Sequence, residues 1–247
     1  MDKYYKNLIV KEEDTYKDGF LRIDRMLANM AEISTLHSNA LGLSLNQIRK
    51  NDYGWMLINW ELEVLKYPKL GESVKLLTWT SAFNKFYANR EFLILDLEGQ
   101  VLVKASSLWA FLDIQKRRPL RIPKEIIEKY SLVDERNFTA FTSIQVEGEI
   151  LKESEAFIVG HKDLDENMHV NNIRYIEWLL LGFSKMEETH EIKKLAIHYK
   201  KELLLNDRVK TQVVKSSLDN KFYHIVSTNN KVNALMTSRW EKKKTPN

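Results

Sequence analysis

The sequence predicts an α+β fold of two joined halves, each a helix wrapped by an antiparallel sheet. Three observations carry that expectation. Strand-like segments are grouped behind a helix instead of alternating with helices, which argues against a doubly wound parallel layout. The order of helix then strands occurs twice along the 247 residues. Short words also recur in the same order in both halves. Gly-Glu-Ser-Val-Lys from Gly71 stands against Asn-Asp-Arg-Val-Lys from Asn206, and Asn-Lys-Phe-Tyr begins at Asn84 and again at Asn220. Ser-Ser-Leu-Trp ends at Trp109 and Thr-Ser-Arg-Trp at Trp240. Such a series argues for internal duplication.

Each element has a local signal. Phe20, Ile23, Met26, Leu27, Met30, Ile33, Leu36 and Ala40 recur at helical spacing and predict one buried stripe. Met56, Ile58, Trp60, Leu62 and Val64 alternate as a half-buried strand requires. Three more strands follow, in SVKLLTWTSA, NREFLILDL and VLVKASSLWAFLD, with Leu-Glu-Gly-Gln at 97–100 as a hairpin turn. Prolines at 119 and 123 lie in a charged stretch, so residues 116–141 read as a linker with a short helix after Pro123. The first half is then 1–115 and the second 142–247. In the second, FTSIQVEGEI begins as a strand, and Ile173, Ile176, Leu180 and Phe183 form a helical stripe. Leu195, Ile197 and Tyr199 alternate, and RVKTQVVKS, KFYHIVST and VNALMTSRW complete the sheet.

Composition narrows the function. Apolar residues make up 44% and charged residues 29% of the chain, the balance of a globular protein. A net charge of +4 suits an acidic partner but is far from a nucleic-acid signature. No cysteine is present, which excludes disulfides, thiolate metal sites and a cysteine nucleophile. The start, MDKYYKNLIVKEED, has no apolar signal core, and the greasiest run, YIEWLLLGF, is far shorter than a membrane span. A cytoplasmic protein with no membrane span is expected.

The chemistry concentrates in HKDLDENMHVNNIRYIEWLLLGF, residues 161–183. It reads as a polar turn leading into a helix that starts near Asn171 or Asn172, both good caps. First-turn N–H groups point free of a helix and stabilise negative charge there. Asp165, Asn167 and His169 sit two apart, so an extended run would place them on one side. A carboxylate, an amide and an imidazole so placed can orient one another and a water or carbonyl. The opening Asp-Leu-Asp-Glu-Asn matches the start of a calcium loop, but Met168 and Arg174 stand where that loop needs Gly and Glu. His161 and His169 lack a tight metal-ligand spacing. A turn that merely caps the helix is the plain alternative.

DLDENMHVNNIRYIEWLL closely resembles the signature of acyl-acyl carrier protein (acyl-ACP) thioesterases of plants and bacteria. WELEVLKYPKLGESVKLLTWTSAF, ASSLWAFLD followed by RRPLRIPKE, and IHYKKELLLND fall in that family's order, so the resemblance covers essentially the whole chain. It implies a double hotdog, two helices each wrapped by an antiparallel sheet. It implies catalytic roles for Asp165, Asn167 and His169, and for Glu202 on the next strand element. Leu203 stands where plant members carry a cysteine, which bars a covalent cysteine route and shifts the weight to Glu202 with water. The first half has no matching Asp-x-Asn-x-His; GFLRIDRMLANM offers only Asp24 and Asn29, so one active site per chain is expected.

By the same resemblance the chain hydrolyses acyl-ACP thioesters in fatty acid biosynthesis, with no metal and no organic cofactor. Glu202, helped by His169, activates a water, Asp165 orients His169 or Asn167, and the helix start with the Asn167 amide holds the oxyanion; a nucleophilic Glu202 that forms an anhydride is the other route. Each buried methylene contributes about 0.8 kcal/mol, so an apolar channel can select chain length. Met26, Leu27, Met30 and Trp60 are the expected lining. Arg117, Arg118 and Arg121, with Lys116 and Lys124 near them, are the expected contacts for an acidic carrier protein. The basic run EKKK at 241–244 reads as a solvated tail. A homodimer is compatible with this reading. The alternatives are a hotdog acyl-CoA thioesterase and a non-catalytic acyl-binding module.

Overall fold

The stripe of the first half folds as α1 (Ile23–Ala40), behind a short edge strand β1 (Tyr4–Ile9). In this computed structural model residues 3–183, 186, 188–217, 219–229 and 231–243 are described, and the chain divides into two units, Met1–Ala140 and Phe141–Asn247. Pro246 and Lys244 of the basic tail lie outside the described residues.

Helix α1 buries Ile23, Met26, Leu27, Met30 and Ile33 against its sheet, then continues that face with Ser34 and His37. Phe20 precedes the helix, Leu36 is half-buried and Ala40 exposed, so the stripe turns polar in its last turns. The helix stops at Gly42, whose φ of 69° suits glycine. A short α2 (Leu45–Arg49) follows, opened by a capping box between Ser44 and Gln47.

Strands β2 (Tyr53–Val64), β3 (Ser73–Phe83), β4 (Tyr87–Leu95) and β5 (Val101–Asp113) complete the first sheet in the order β1-β3-β4-β5-β2, all antiparallel. Trp60, Leu62 and Val64 are buried as expected, but Leu57 takes the inward place expected of Met56 and Ile58. A register shift between Leu57 and Asn59 causes this, because one extra residue flips the alternation. Gly99 forms the expected hairpin turn with φ 84°, its N–H bonded to the Asp96 carbonyl at 3.2 Å.

The stretch 116–141 is strapped onto the first unit over most of its length. β6 (Arg118–Pro119) pairs with β5, and α3 (Lys124–Ile127) follows Pro123. Ile122, Ile126 and Tyr130 are buried in one cluster with Leu43, Ile48 and Phe111. Further on, Asn137 donates its amide to the carbonyls of Phe92 (3.0 Å) and Ala105 (2.7 Å), and Trp79 donates its indole N–H to the Glu135 carbonyl at 2.9 Å.

The second unit repeats the plan in shorter form. β7 (Glu149–Glu153) starts later than FTSIQVEGEI suggests, and β8 (Phe157–Ile158) precedes α4 (Asn172–Leu180). β9 (His190–Tyr199), β10 (Arg208–Lys215), β11 (Lys221–Thr228) and β12 (Lys231–Lys242) give the antiparallel order β9-β12-β11-β10-β7. α4 buries Tyr175, Ile176, Leu179 and Leu180, and Phe183 follows in a 3-10 turn. The recurring words fall on equivalent strands, and one contact repeats with them. Trp109 donates its indole N–H to Ser107 at 2.7 Å, and Trp240 donates to Ser238 at 2.8 Å.

The second core holds one histidine. His224 is fully buried, with Nδ1 3.2 Å from the Leu179 carbonyl and Nε2 2.7 Å from Ser238 Oγ. Nδ1 therefore carries the proton, and the serine hydroxyl donates to Nε2. Burial pushes its pKa down to about 3 from 6.5. The folded state keeps it neutral while the unfolded chain protonates below 6.5, so stability falls as pH drops through the window from 6.5 to about 3. The slope from this group is about 1.4 kcal/mol per pH unit. Urea unfolding between pH 7 and pH 4 should show that loss, with a shallower slope in His224→Gln.

Candidate active site

The polar turn of the second unit is built around Asp163. Its buried carboxylate accepts the Gly160 N–H at 2.9 Å and lies 3.5 Å from Arg174 Nε, while its carbonyl accepts the Asn171 N–H at 2.9 Å. Between these anchors the chain reverses. The Asp165 N–H bonds the His169 carbonyl at 2.7 Å, and the Met168 N–H bonds the Asp165 carbonyl at 3.1 Å. Met168 takes a left-handed φ of 62° at the tip.

Asp165, Asn167 and His169 therefore do not lie along one side of an extended run. The Asp165 carboxylate accepts the N–H of Asn167 (2.7 Å) and of His169 (3.2 Å), a local closure that an extended chain could not make. Its other oxygen lies 3.4 Å from the Asn167 amide nitrogen, so Asp165 orients Asn167.

The turn is then tied to the segment after β9. The Val170 N–H bonds the Leu203 carbonyl at 2.9 Å, and His169 pairs with Leu204 as an isolated bridge. This brings His169 Nδ1 to 3.3 Å from Glu202 Oε1, each side chain about one third exposed at 31% and 37%. Leu203 is fully buried.

Two tyrosines that are not among the expected site residues brace the arrangement. The Leu203 N–H donates to the Tyr175 hydroxyl at 3.0 Å, and the Tyr199 hydroxyl donates to the Asn172 carbonyl at 3.0 Å. Burial raises the Tyr175 phenol well above its ordinary value, with Glu202, Asp207 and Asp165 adding to the effect. Burial does the same to Tyr199. Both phenols stay neutral. Their signal was available, since Tyr175 falls on the inner face of the helix and Tyr199 on an alternating strand.

Helix α4 opens at the cap Asn171. Its side-chain oxygen accepts the Ile173 N–H at 2.9 Å, and its carbonyl accepts the Arg174 N–H at 2.9 Å. The Asn172 N–H is the first-turn donor not spent on these bonds.

The other expected site residues are spread over the first unit. Met26, Leu27 and Met30 are 0% exposed and Trp60 is 1% exposed, all within the core. A cleft in the same unit is lined by other residues, among them Ser38, Thr80, Arg90, Trp55 and Trp109. Arg117, Arg118 and Arg121 are exposed.

The first unit also carries the same backbone turn with other side chains. The Tyr16 N–H bonds the Phe20 carbonyl (2.8 Å), the Gly19 N–H bonds the Tyr16 carbonyl (2.9 Å), and the Leu21 N–H bonds the Pro68 carbonyl (2.9 Å). Gly19 holds the left-handed tip at φ 79°. Tyr16, Asp18 and Phe20 thus occupy the places of Asp165, Asn167 and His169. Tyr67, whose ring centroid lies 6.0 Å from that of Phe20, takes the place of Glu202. The frame is duplicated; the acid–base groups are not.

The sequence pattern of the acyl-ACP thioesterase N-terminal domain matches residues 1–130, and that of the C-terminal domain matches residues 149–242. A chloroplastic acyl-[acyl-carrier-protein] hydrolase of Cuphea viscosissima is 28% identical over 202 residues, 75% of this chain and 48% of the relative. Oleoyl-acyl carrier protein thioesterase 1 of Arabidopsis thaliana is 22% identical over 236 residues, covering 87% of this chain and 64% of the relative. The chain spans about half the length of the first of these. Among solved structures, an acyl-ACP thioesterase from Bacteroides thetaiotaomicron superposes with a TM-score of 0.88 at 21% identity, over 97% of this chain and 98% of the other. The 12:0-ACP thioesterase from Umbellularia californica gives 0.89 at 20% identity, over 98% of both chains. The fold is the double hotdog expected.

Replacing Asn171 by Ala removes the side-chain cap of α4 and should lower stability by about 1 kcal/mol, measured by urea unfolding.

Proposed function

We propose, from the premise that this chain belongs to the acyl-ACP thioesterase family, that it hydrolyses the thioester of an acyl chain carried on acyl carrier protein. The observation that carries the reading is the His169–Glu202 contact of 3.3 Å beside an amide held by Asp165. An imidazole and a carboxylate at that distance can share one proton. A primary amide next to them can donate to an oxygen that gains charge.

Glu202 takes a proton from a water, with the His169 ring turned to its Oε1 to keep it oriented. The hydroxide equivalent attacks the thioester carbonyl. The resulting oxyanion is held by the Asn167 amide and the Asn172 N–H at the start of α4. Collapse breaks the carbon–sulfur bond, and the proton held by Glu202 passes to the departing thiolate. The products are a free carboxylate and the carrier thiol. Asp165 acts through Asn167, whose amide its carboxylate fixes. Tyr175 and Tyr199 hold the strand end and the helix start at the spacing the step requires.

Acyl carrier protein is acidic, and the exposed Arg117, Arg118 and Arg121 give the first unit a basic patch to meet it. No described helix is long and apolar enough to cross a membrane. A cytoplasmic enzyme of fatty acid biosynthesis fits this reading.

Thiol release from matched acyl-ACP and acyl-CoA panels tests the proposal. Acyl-ACP should turn over, and Glu202→Gln and Asn167→Ala should each lower kcat by about 10²-fold or more while remaining folded. Cleavage of acyl-CoA alone would replace the carrier reading. Wild-type activity in both variants would remove the proposed water-activating pair and amide.

A further inference from the structure

The residues leading into Glu202 are gripped by β12. Strand β9 ends at Tyr199, and the next two N–H groups, of Lys200 (2.8 Å) and Lys201 (3.1 Å), both donate to the Asn233 carbonyl. Asn233 is the extra residue of a bulge: Val226 pairs with Ala234 and Ser227 with Val232, so the β11 ladder skips it. The first unit makes the same grip. The N–H groups of Leu65 (2.9 Å) and Lys66 (3.0 Å) both donate to the carbonyl of Leu102, which the β4–β5 ladder skips between Val101 and Val103. Leu102 stands as far before Trp109 as Asn233 stands before Trp240, so the two residues are equivalent.

The copies differ in the side chain at that place. Leu102 is 0% exposed and belongs to the apolar core. Asn233 is equally hidden, at 2% exposed, yet it carries an amide there. Its Nδ2 donates to the Lys201 carbonyl at 3.3 Å, while its Oδ1 is buried with no hydrogen-bond partner among the described residues. The main-chain grip does not require this amide, because Leu102 makes it without one. A buried amide with an unsatisfied oxygen costs stability that a leucine would not. The polar residue stands in the unit that has Glu202, where the other has Tyr67, and its side-chain bond goes to the peptide just before that carboxylate.

We propose that Asn233 is a positioning residue for Glu202. The Lys201 carbonyl and the Glu202 N–H belong to one planar peptide, so a bond to that oxygen sets the rotation of the plane and with it the direction in which the Glu202 side chain leaves the backbone. The peptides on the far side are held by Leu203, whose N–H meets the Tyr175 hydroxyl and whose carbonyl meets the Val170 N–H. Glu202 sits between these two anchors, with Oε1 3.3 Å from His169 Nδ1. The proposal rests on the hydrolase reading, to which it adds a group that acts only through Glu202.

The test is Asn233→Leu in the full chain, which installs the side chain of the first unit. Thiol release from acyl-ACP should show kcat lowered about tenfold, the scale of one hydrogen bond, with KM little changed. The urea midpoint should equal or exceed that of wild type. Added to Glu202→Gln, Asn233→Leu should lower kcat no further, because nothing is left for it to orient; an independent packing defect would multiply the two losses. The His169 ring resonances in the NMR spectrum of Asn233→Leu should move toward their positions in Glu202→Gln. Should Asn233→Leu not fold, Asn233→Ala carries the same comparisons. Unchanged kcat, losses that multiply in full, or His169 resonances left at their wild-type positions would overturn the proposal. If wild type cleaves no thioester the hydrolase reading falls, and the His169 resonances, which need no turnover, still decide whether Asn233 places Glu202.

Discussion

The tie between the polar turn and the segment leaving β9 is the constraint on which the candidate active site rests. The Val170 N–H reaches the Leu203 carbonyl, and the Leu203 N–H in turn reaches the Tyr175 hydroxyl. Leu203 is thereby fixed from both sides by main-chain and phenol contacts. Glu202, one residue earlier, is thereby placed beside His169. The contact at 3.3 Å is a product of backbone geometry more than of any attraction between the two side chains. Both are partly in solvent, where such a pair contributes little by itself.

The duplicated plan was legible because it rests on periodicity. Apolar spacing marked α1 and α4, and grouped strands with their turns marked both sheets. What periodicity could not show were interruptions. The bulge at Leu57 and Asn59 inverts part of β2, and FTSIQVEGEI becomes a strand only from Glu149. The stretch after β6 looked like a linker because it is charged and carries prolines. Its buried residues, Ile122, Ile126 and Tyr130, are too widely spaced among polar neighbours to announce a face.

The site was legible in its residue types and not in its shape. Asp165 reads as a member of a polar triplet, yet it spends its carboxylate on the N–H groups of the turn and on one amide. No spacing rule anticipates that, because a local hydrogen bond competes with extension on equal terms.

The empty copy of the turn in the first unit has a consequence of its own. Tyr16, Phe20 and Tyr67 stand where the second unit has Asp165, His169 and Glu202, and Asp18 where it has Asn167, yet the reversal, its left-handed tip and its tie to the segment after β2 all persist. The reversal therefore forms on main-chain bonds without the carboxylate that closes it in the second unit. After a duplication, one repeat could shed its chemistry without risk to its own folding and take on a different task, such as shaping a cavity, while its twin kept the reaction.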